Sequence, residues 1–331
     1  MNLRKRKILV TGGAGFIGSH LCERLVKEEA RVIVLDDFST GKLRNLKNII
    51  DSVTVIKGNI INEKIIRRAI KGCDIVIHEA FPYGKVGMGL KEQYIEEGVI
   101  GTFNLLKLAV KNNVQKFVFA SSVAVYGIPR YLPIDENHPT IPFLPYGVTK
   151  RAGELYCSTF AKLYGLDTVS LRYFYIYGPR YSTFDHSALV NFINRAIHKK
   201  PLIIYGDGLQ IRDYTYIDDA IEGTILAIKK ENTQGKTYNI ASGVGISILE
   251  LAEKIKKILG KDVKIKFAKN SQYKRVPHCR IPVGMTTRKG TRWIDERNYT
   301  ADLSLSKKEL GYSPKTDLEK GIIKTIEWLT A

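Results

Sequence analysis

Three side chains in this 331-residue sequence have the types and spacing of a proton-transfer site. Tyr146 and Lys150 stand four residues apart in Tyr146-Gly-Val-Thr-Lys150, so a helix there puts both on one face. An ammonium beside a phenol favours the phenolate, bringing a group that ordinarily titrates near pH ~10 towards use as a base at neutral pH. Ser122 ends the apolar run Lys116-Phe-Val-Phe-Ala-Ser-Ser122, and its hydroxyl can hold the same substrate hydroxyl and relay its proton. Taken alone, a Tyr-x-x-x-Lys spacing is usually a surface pair. Its meaning comes from what lies upstream.

Upstream, Ile8–Val10 runs into Gly12-x-x-Gly15-x-x-Gly18 and then a helical pattern with apolar Phe16, Ile17, Leu21, Leu25 and Val26. One glycine makes the tight turn, one lets the backbone approach a pyrophosphate, and one lets the helix pack on the strand. The first-turn N–H groups and the helix dipole then face the phosphates. A second run, Arg31–Leu35, ends on Asp36-Asp37. An acidic residue there accepts from a ribose 2′-hydroxyl and repels a 2′-phosphate, which favours NAD over NADP. The bland alternative is a phosphate-free corner with a solvated Asp pair.

These groups need a scaffold, and the pattern of strands and helices supplies one. Strands are expected at Ile8–Val10, Arg31–Leu35, Val53–Ile56, Asp74–His78, Lys116–Ala120 and Asp167–Arg172. Helices are expected at Glu63–Lys71, Gln93–Lys111 and Tyr146–Tyr164. Such alternation reads as α/β, a Rossmann-type doubly wound parallel sheet covered on both faces, with ligands at the carboxyl ends of its strands. Ser121 and Ser122 fall at such an end. Beyond Arg172 the punctuation thickens (Gly178-Pro179, Gly206-Asp207-Gly208) and alternation fails. Ile248–Leu259 reads as a helix, Val263–Phe267 as a strand and Leu318–Leu329 as a closing helix. The expected organisation is an NAD-binding domain over residues 1–175, with later segments returning to it, and a smaller α/β lobe over 176–331.

With 44% hydrophobic and 26% charged residues, the composition is that of a globular protein. No apolar run approaches a membrane span. Arg4-Lys5-Arg6-Lys7 is followed by only three apolar residues, too few for a signal sequence, so a cytoplasmic location is expected. Cys22, Cys73, Cys157 and Cys279 form no C-x-x-C pair, and the six histidines form no metal constellation; reduced thiols and no metal are expected. The net charge of +19 fits solvated lysine faces, polyanion binding or steering of an anionic nucleotide.

Together these residues resemble the extended short-chain dehydrogenase/reductase family, the NAD-dependent nucleotide-sugar epimerases and dehydratases. The resemblance covers nearly the whole chain through TGGAGFIGSH, VLDDFSTGK, KGNI, SSVAVYG, PYGVTK, LRYFYIYGPR and YGDGLQIRDYTYIDD, in that order. It implies cofactor contacts from Gly12, Gly15, Phe16, Ile17 and Gly18, from Asp36, Asp37, Ser39, Thr40 and Gly41, and from Ala80. By the same resemblance Asn59 and Ile60 flank the adenine, Asn59 replacing the family's usual Asp, and Lys150 hydrogen-bonds the nicotinamide ribose. Arg212 and Arg288 become the arginines on the substrate diphosphate; a structural salt bridge with Asp213 or Asp218 is the other reading of Arg212. The resemblance also implies a homodimer through the helices at 93–111 and 146–164. Leu105, Leu106, Leu108 and Ala109 exceed what one buried face needs.

The type of reaction follows from what is missing. The family's dehydratases carry Asp-Glu just after the position of Ser122, and its decarboxylases carry Glu; here stand Val123 and Ala124, which move no protons. Epimerisation at carbon 4 of a UDP-sugar through a keto intermediate is therefore the leading expectation. Epimerisation at carbon 2 or 3, and reduction of a keto-sugar, are its neighbours. A basic RNA-associated scaffold would not need Ser122, Tyr146 and Lys150, so nucleic acid is not expected as a partner. Three departures from the family pattern bear on the sugar: Tyr175 and Gly98 where Asn is usual, and the stretch Glu79–Met88, which offers Glu79, Lys85 and Tyr83 near the expected sugar site. Arg292 and Arg297 are candidates to replace the lost Asn.

Overall fold

The computed structural model describes residues 1–82, 92–181, 187–260, 263–268 and 297–331. The first half alternates: β1 (Lys7–Thr11), α1 (Phe16–Lys27), β2 (Arg31–Asp36), β3 (Val53–Lys57), α2 (Glu63–Ile70) and β4 (Ile75–His78). Then come α3 (Gln93–Ile95), α4 (Thr102–Lys111), β5 (Lys116–Ser122), α5 (Pro145–Tyr164) and β6 (Asp167–Tyr173). Shorter pieces follow: β7 (Ile176–Tyr177), α6 (Ala188–Ile197), β8 (Leu202–Ile204), β9 (Ile211–Asp213), β10 (Thr215–Tyr216) and α7 (Ile217–Lys229). The chain closes with β11 (Lys236–Ile240), β12 (Gly245–Ser247), α8 (Ile248–Leu259), β13 (Ile265–Phe267), α9 (Ser304–Leu310) and α10 (Leu318–Thr330).

Seven strands form one parallel sheet in the order β11-β6-β5-β4-β1-β2-β3. The winding reverses between β1 and β4, where Thr11 pairs with His78, and the crevice beyond those strand ends is where such sheets take ligands. Both faces are buried, and strand side chains alternate between them. Ile8, Val10, Val34, Ile77 and Val118 join α1 and α7 in one cluster; Leu9, Leu35, Val76, Phe117 and Phe119 join α2, α4 and α5 in the other. Continuous apolar strands follow from that double cover.

α5 carries Tyr146 and Lys150, and a buried ion pair fixes it to the sheet. Arg172 of β6 donates from Nε to Glu154 Oε1 at 2.8 Å and from Nη2 to Oε2 at 2.9 Å. Ser121 Oγ donates to the same Oε1 at 2.6 Å, so β5, β6 and α5 meet at one carboxylate.

Two expectations need correction. The helix read as 93–111 is interrupted: between α3 and α4 the segment Glu96–Gly101 winds as a wider π-type turn. A side chain on Gly98 would place its Cβ 2.3 Å from Thr149 Cγ2, and one on Gly101 would sit 2.7 Å from Ile60 Cδ1. The extra residue thus brings bare backbone against α5 and the end of β3. Leu105, Leu106, Leu108 and Ala109, counted as a surplus for a partner subunit, are all fully buried between the sheet, α2 and α5. The exposed apolar residues of this region are instead Ile95, Ile100 and Phe103, with Val148, Leu155, Leu163 and Tyr164 on α5. Among the described residues, Cys22, Cys73 and Cys157 are buried free thiols, no metal-binding cluster occurs, and no helix is long and apolar enough to cross a membrane. Cys279 lies outside the described residues.

Candidate active site

A cleft of about 1100 Å³ opens at the carboxyl ends of β1, β2, β4 and β5. Its floor is the glycine turn. Gly12 has φ +69°, and a Cβ there would lie 2.7 Å from the Ala80 nitrogen. At Gly18 a Cβ would fall 2.2 Å from Gly12 O, which keeps α1 tight on β1. Gly15 precedes α1 with no side-chain cap, leaving first-turn N–H groups for an anion. Phe16, Ile17, Asp36, Asp37, Ser39, Thr40, Asn59, Ile60 and Ala80 all line the same cleft. Gly41 backs it: its Cβ would meet Asp36 Oδ1 at 2.7 Å.

Asp36 is buried at the end of β2, and burial pushes its carboxyl above the usual range, against the pull of two backbone bonds. Ala14 N donates to Oδ2 at 2.9 Å and Phe38 N to Oδ1 at 2.8 Å, which locks the carboxylate to the turn. A bare-backbone cradle, uncapped helix N–H groups and an adjacent carboxylate fit a dinucleotide with a free ribose hydroxyl.

The proton-transfer residues meet in this cleft. The Tyr146 phenol in the first turn of α5 and the Ser122 hydroxyl at the end of β5 lie close together in the cleft, and Ser122 Oγ accepts from Ala124 N at 3.2 Å. Lys150 is buried and donates from Nζ to Ala120 O at 2.7 Å, with its charge 4.5 Å from the Phe81 ring centroid. The expectation that the Lys150 ammonium lowers the Tyr146 phenol is therefore corrected. The ammonium donates to a carbonyl and lies over aromatic rings, and burial pushes Tyr146 up to about 12 while the nearby Ser122 hydroxyl pulls it down.

Glu79, at the end of β4, shares this environment. Burial drives its carboxyl up to about 7, against the attraction of Lys150 and a 3.1 Å bond from the Tyr173 hydroxyl. Burial in turn takes Lys150 down to about 8, with Glu79 opposing. The carboxylate and the ammonium each oppose the neutralising effect of burial on the other, and burial remains the larger influence.

The substrate-side expectations divide. Tyr175 forms part of the cleft wall at φ +32°, a conformation that Asn tolerates better than Tyr. Arg212 is buried behind that wall: it donates to Ile211 O at 2.8 Å and to Arg297 O, and lies 5.3 Å and 5.5 Å from the Tyr175 and Tyr299 ring centroids. Among the described residues, the arginines that line the cleft are Arg44, Arg180 and Arg297. Arg297 donates to Gly127 O at 3.2 Å and sits over Phe143. Asp213 accepts from Ser242 Oγ at 2.6 Å and from the amides of Ser242, Gly243 and Ala301; Asp218 faces Lys324 at 3.8 Å. Tyr83, Lys85, Arg288 and Arg292 lie outside the described residues. Val123 and Ala124 line the cleft beside Ser122.

One cleft residue has no signal in the sequence. Asn59 Nδ2 donates at 3.1 Å to both Asp37 Oδ2 and Glu97 Oε1. An Asp at this position would set a third carboxylate between two others, which explains the Asn. Glu97 is 38 residues away in sequence, on the π turn, and only the fold brings it to the cleft.

The model of the NAD dependent epimerase/dehydratase family matches residues 8–241. An uncharacterized UDP-glucose epimerase of Bacillus subtilis is 34% identical over 335 residues, covering 98% of each chain. A UDP-N-acetyl-alpha-D-glucosaminuronate decarboxylase of Bacillus cytotoxicus is 32% identical over 331 residues, again 98% of each. Among solved structures, the UDP-glucuronic acid 4-epimerase of Bacillus cereus, in complex with UDP-glucuronic acid and NAD, superposes with a TM-score of 0.83 at 32% identity, over 98% of this chain and 99% of that one. With the parallel sheet, the glycine cradle and the cleft already in place, the chain belongs to the NAD-dependent epimerase/dehydratase family of enzymes acting on nucleotide-sugars, with NAD as its cofactor.

Proposed function

We propose that this chain is a nucleotide-diphosphate-sugar 4-epimerase that interconverts UDP-glucose and UDP-galactose. One observation carries the reading: the cleft brings Ser122, Tyr146 and Lys150 together, while the neighbouring Val123 and Ala124 offer no acid or base for losing water or carbon dioxide. The similarity to a UDP-glucose epimerase of Bacillus subtilis supports the choice of sugar.

In this reading Tyr146 takes the proton of the sugar 4-hydroxyl, with Ser122 bridging the two oxygens. NAD, when bound, would supply the hydride acceptor and donor for carbon 4. The residues of this cleft would then have to hold a 4-keto sugar and leave it room to turn over, so that either face can be reduced. Tyr146 then gives its proton back to the new hydroxyl. Lys150 holds the cofactor ribose, and Gly12–Gly18 with Asp36 holds its diphosphate and second ribose. Segments after residue 176 form the nucleotide-sugar lobe, where Arg180 and Arg297 bring positive charge to the cleft. Two copies pair through α4 and α5.

Incubation with UDP-glucose or UDP-galactose, without added NAD, tests the reading. Interconversion to one equilibrium mixture is expected. Net NADH consumption on a keto-sugar, with no interconversion, overturns it.

A further inference from the structure

We propose that Glu97 reads the exocyclic amine of the cofactor's adenine, because Asn59 is committed to bracing Asp37 and Glu97. The direction of the cleft locates the base. A dinucleotide diphosphate belongs at the N-terminus of α1, and its ribose belongs at Asp36, where β2 ends. The base then extends past β2 to the end of β3, where Asn59 and Ile60 line the cleft. The opposite wall is the π turn Glu96–Gly101, whose Gly101 backbone approaches Ile60 and whose Glu97 side chain lines the cleft.

The hydrogen-bonding capacity of each group decides the role. An amide side chain has two N–H donors and one carbonyl oxygen. Asn59 gives both hydrogens away, one to Asp37 and one to Glu97, and its Oδ1 accepts from Ile61 N at 2.9 Å. That last bond turns the amide oxygen towards its own loop. An ionised carboxylate only accepts. Glu97 receives the Asn59 hydrogen on Oε1, and its Oε2 has no hydrogen-bond partner among the described residues. An acceptor oxygen on this wall of the cleft suits the amine of adenine and repels the carbonyl of hypoxanthine. The π turn carries this function: it brings Glu97 within reach of a residue 38 positions earlier, which an uninterrupted helix would present differently.

The test compares binding of NAD with binding of nicotinamide hypoxanthine dinucleotide, by titration calorimetry on cofactor-depleted full-length enzyme. Wild type, Glu97→Ala and Glu97→Gln are measured, each checked for folding by its melting transition. A hydrogen bond to a charged acceptor predicts that wild type prefers NAD by about tenfold or more. Glu97→Ala should bring the two dinucleotides within about threefold. Glu97→Gln, whose amide can turn and donate, should narrow the preference or reverse it towards hypoxanthine. A wild type indifferent to the amine overturns the proposal. So does retention of the full NAD preference in either variant, or an equal loss of affinity for both dinucleotides in both variants, which marks Glu97 as structural.

Discussion

Lys150 and Glu79 line one cleft, and each is pulled towards its charged form by the other. Burial opposes charge on both; mutual attraction restores part of it. If turnover needs the Lys150 ammonium, kcat/KM falls on the alkaline side near the Lys150 value of about 8. The Glu79 carboxylate raises the Lys150 value, so Glu79→Gln should move that alkaline limb to lower pH. An unmoved limb would separate Glu79 from the site. Tyr146→Phe should lower kcat by about 10²–10⁴-fold, the range for losing a positioned acid–base group, while NAD stays bound. Absorbance of released cofactor after denaturation and steady-state rates check both halves. Ser122, Tyr146 and Lys150 were legible in the sequence because each sits at a strand end or at a helical spacing. Glu97 was not: its partner Asn59 is remote along the chain, and no local pattern marks it. Arg212 shows the converse, a motif arginine that the fold sets behind Tyr175 and Tyr299.

At the scale of elements, the π turn between α3 and α4 joins the base end of the cleft to the helix bearing Tyr146. Thr102 Oγ1 donates to Gly98 O at 2.7 Å, and His78 Nε2 lies 2.9 Å from the same hydroxyl. Gly98 has no room for a side chain because Thr149 of α5 occupies it. Gly98→Ala should therefore cost about 1–3 kcal/mol of stability, the usual range for overpacking. Thr149→Ser removes the offending methyl and should restore most of the loss, measured by denaturant midpoints of the two single variants and the double variant. An additive double variant would contradict this contact. The strands themselves were readable to within a few residues because both sheet faces are buried and their apolar runs stand out. The interruption at Glu96–Gly101 was not, because its apolar spacing continues that of a plain helix and only the paired glycines hint at close approach.

At the scale of the whole molecule, one group of exposed apolar side chains among the described residues lies on α5 and on the neighbouring π turn and α4. Val148 and Leu155 are each 52% exposed on α5, and Ile100 and Phe103 stand beside them on the preceding turn and α4. Leu155→Arg should convert the proposed dimer to a monomer in light scattering without lowering the melting temperature of the protomer; a wild-type monomer would contradict the dimer itself. The basic residues behind the +19 charge are scattered along the sequence, while the cleft mixes Arg44, Arg180 and Arg297 with Asp36, Asp37, Glu79 and Glu97. That mixture suits a dinucleotide and an anionic sugar nucleotide side by side. The most direct measurement is proton NMR of UDP-glucose incubated with the enzyme in deuterium oxide, without added NAD. Hydride removal and return predicts UDP-galactose that keeps protium at carbon 4 and gains no deuterium at any carbon. Deuterium on a ring carbon, loss of water from the sugar, or no epimer at all would contradict it.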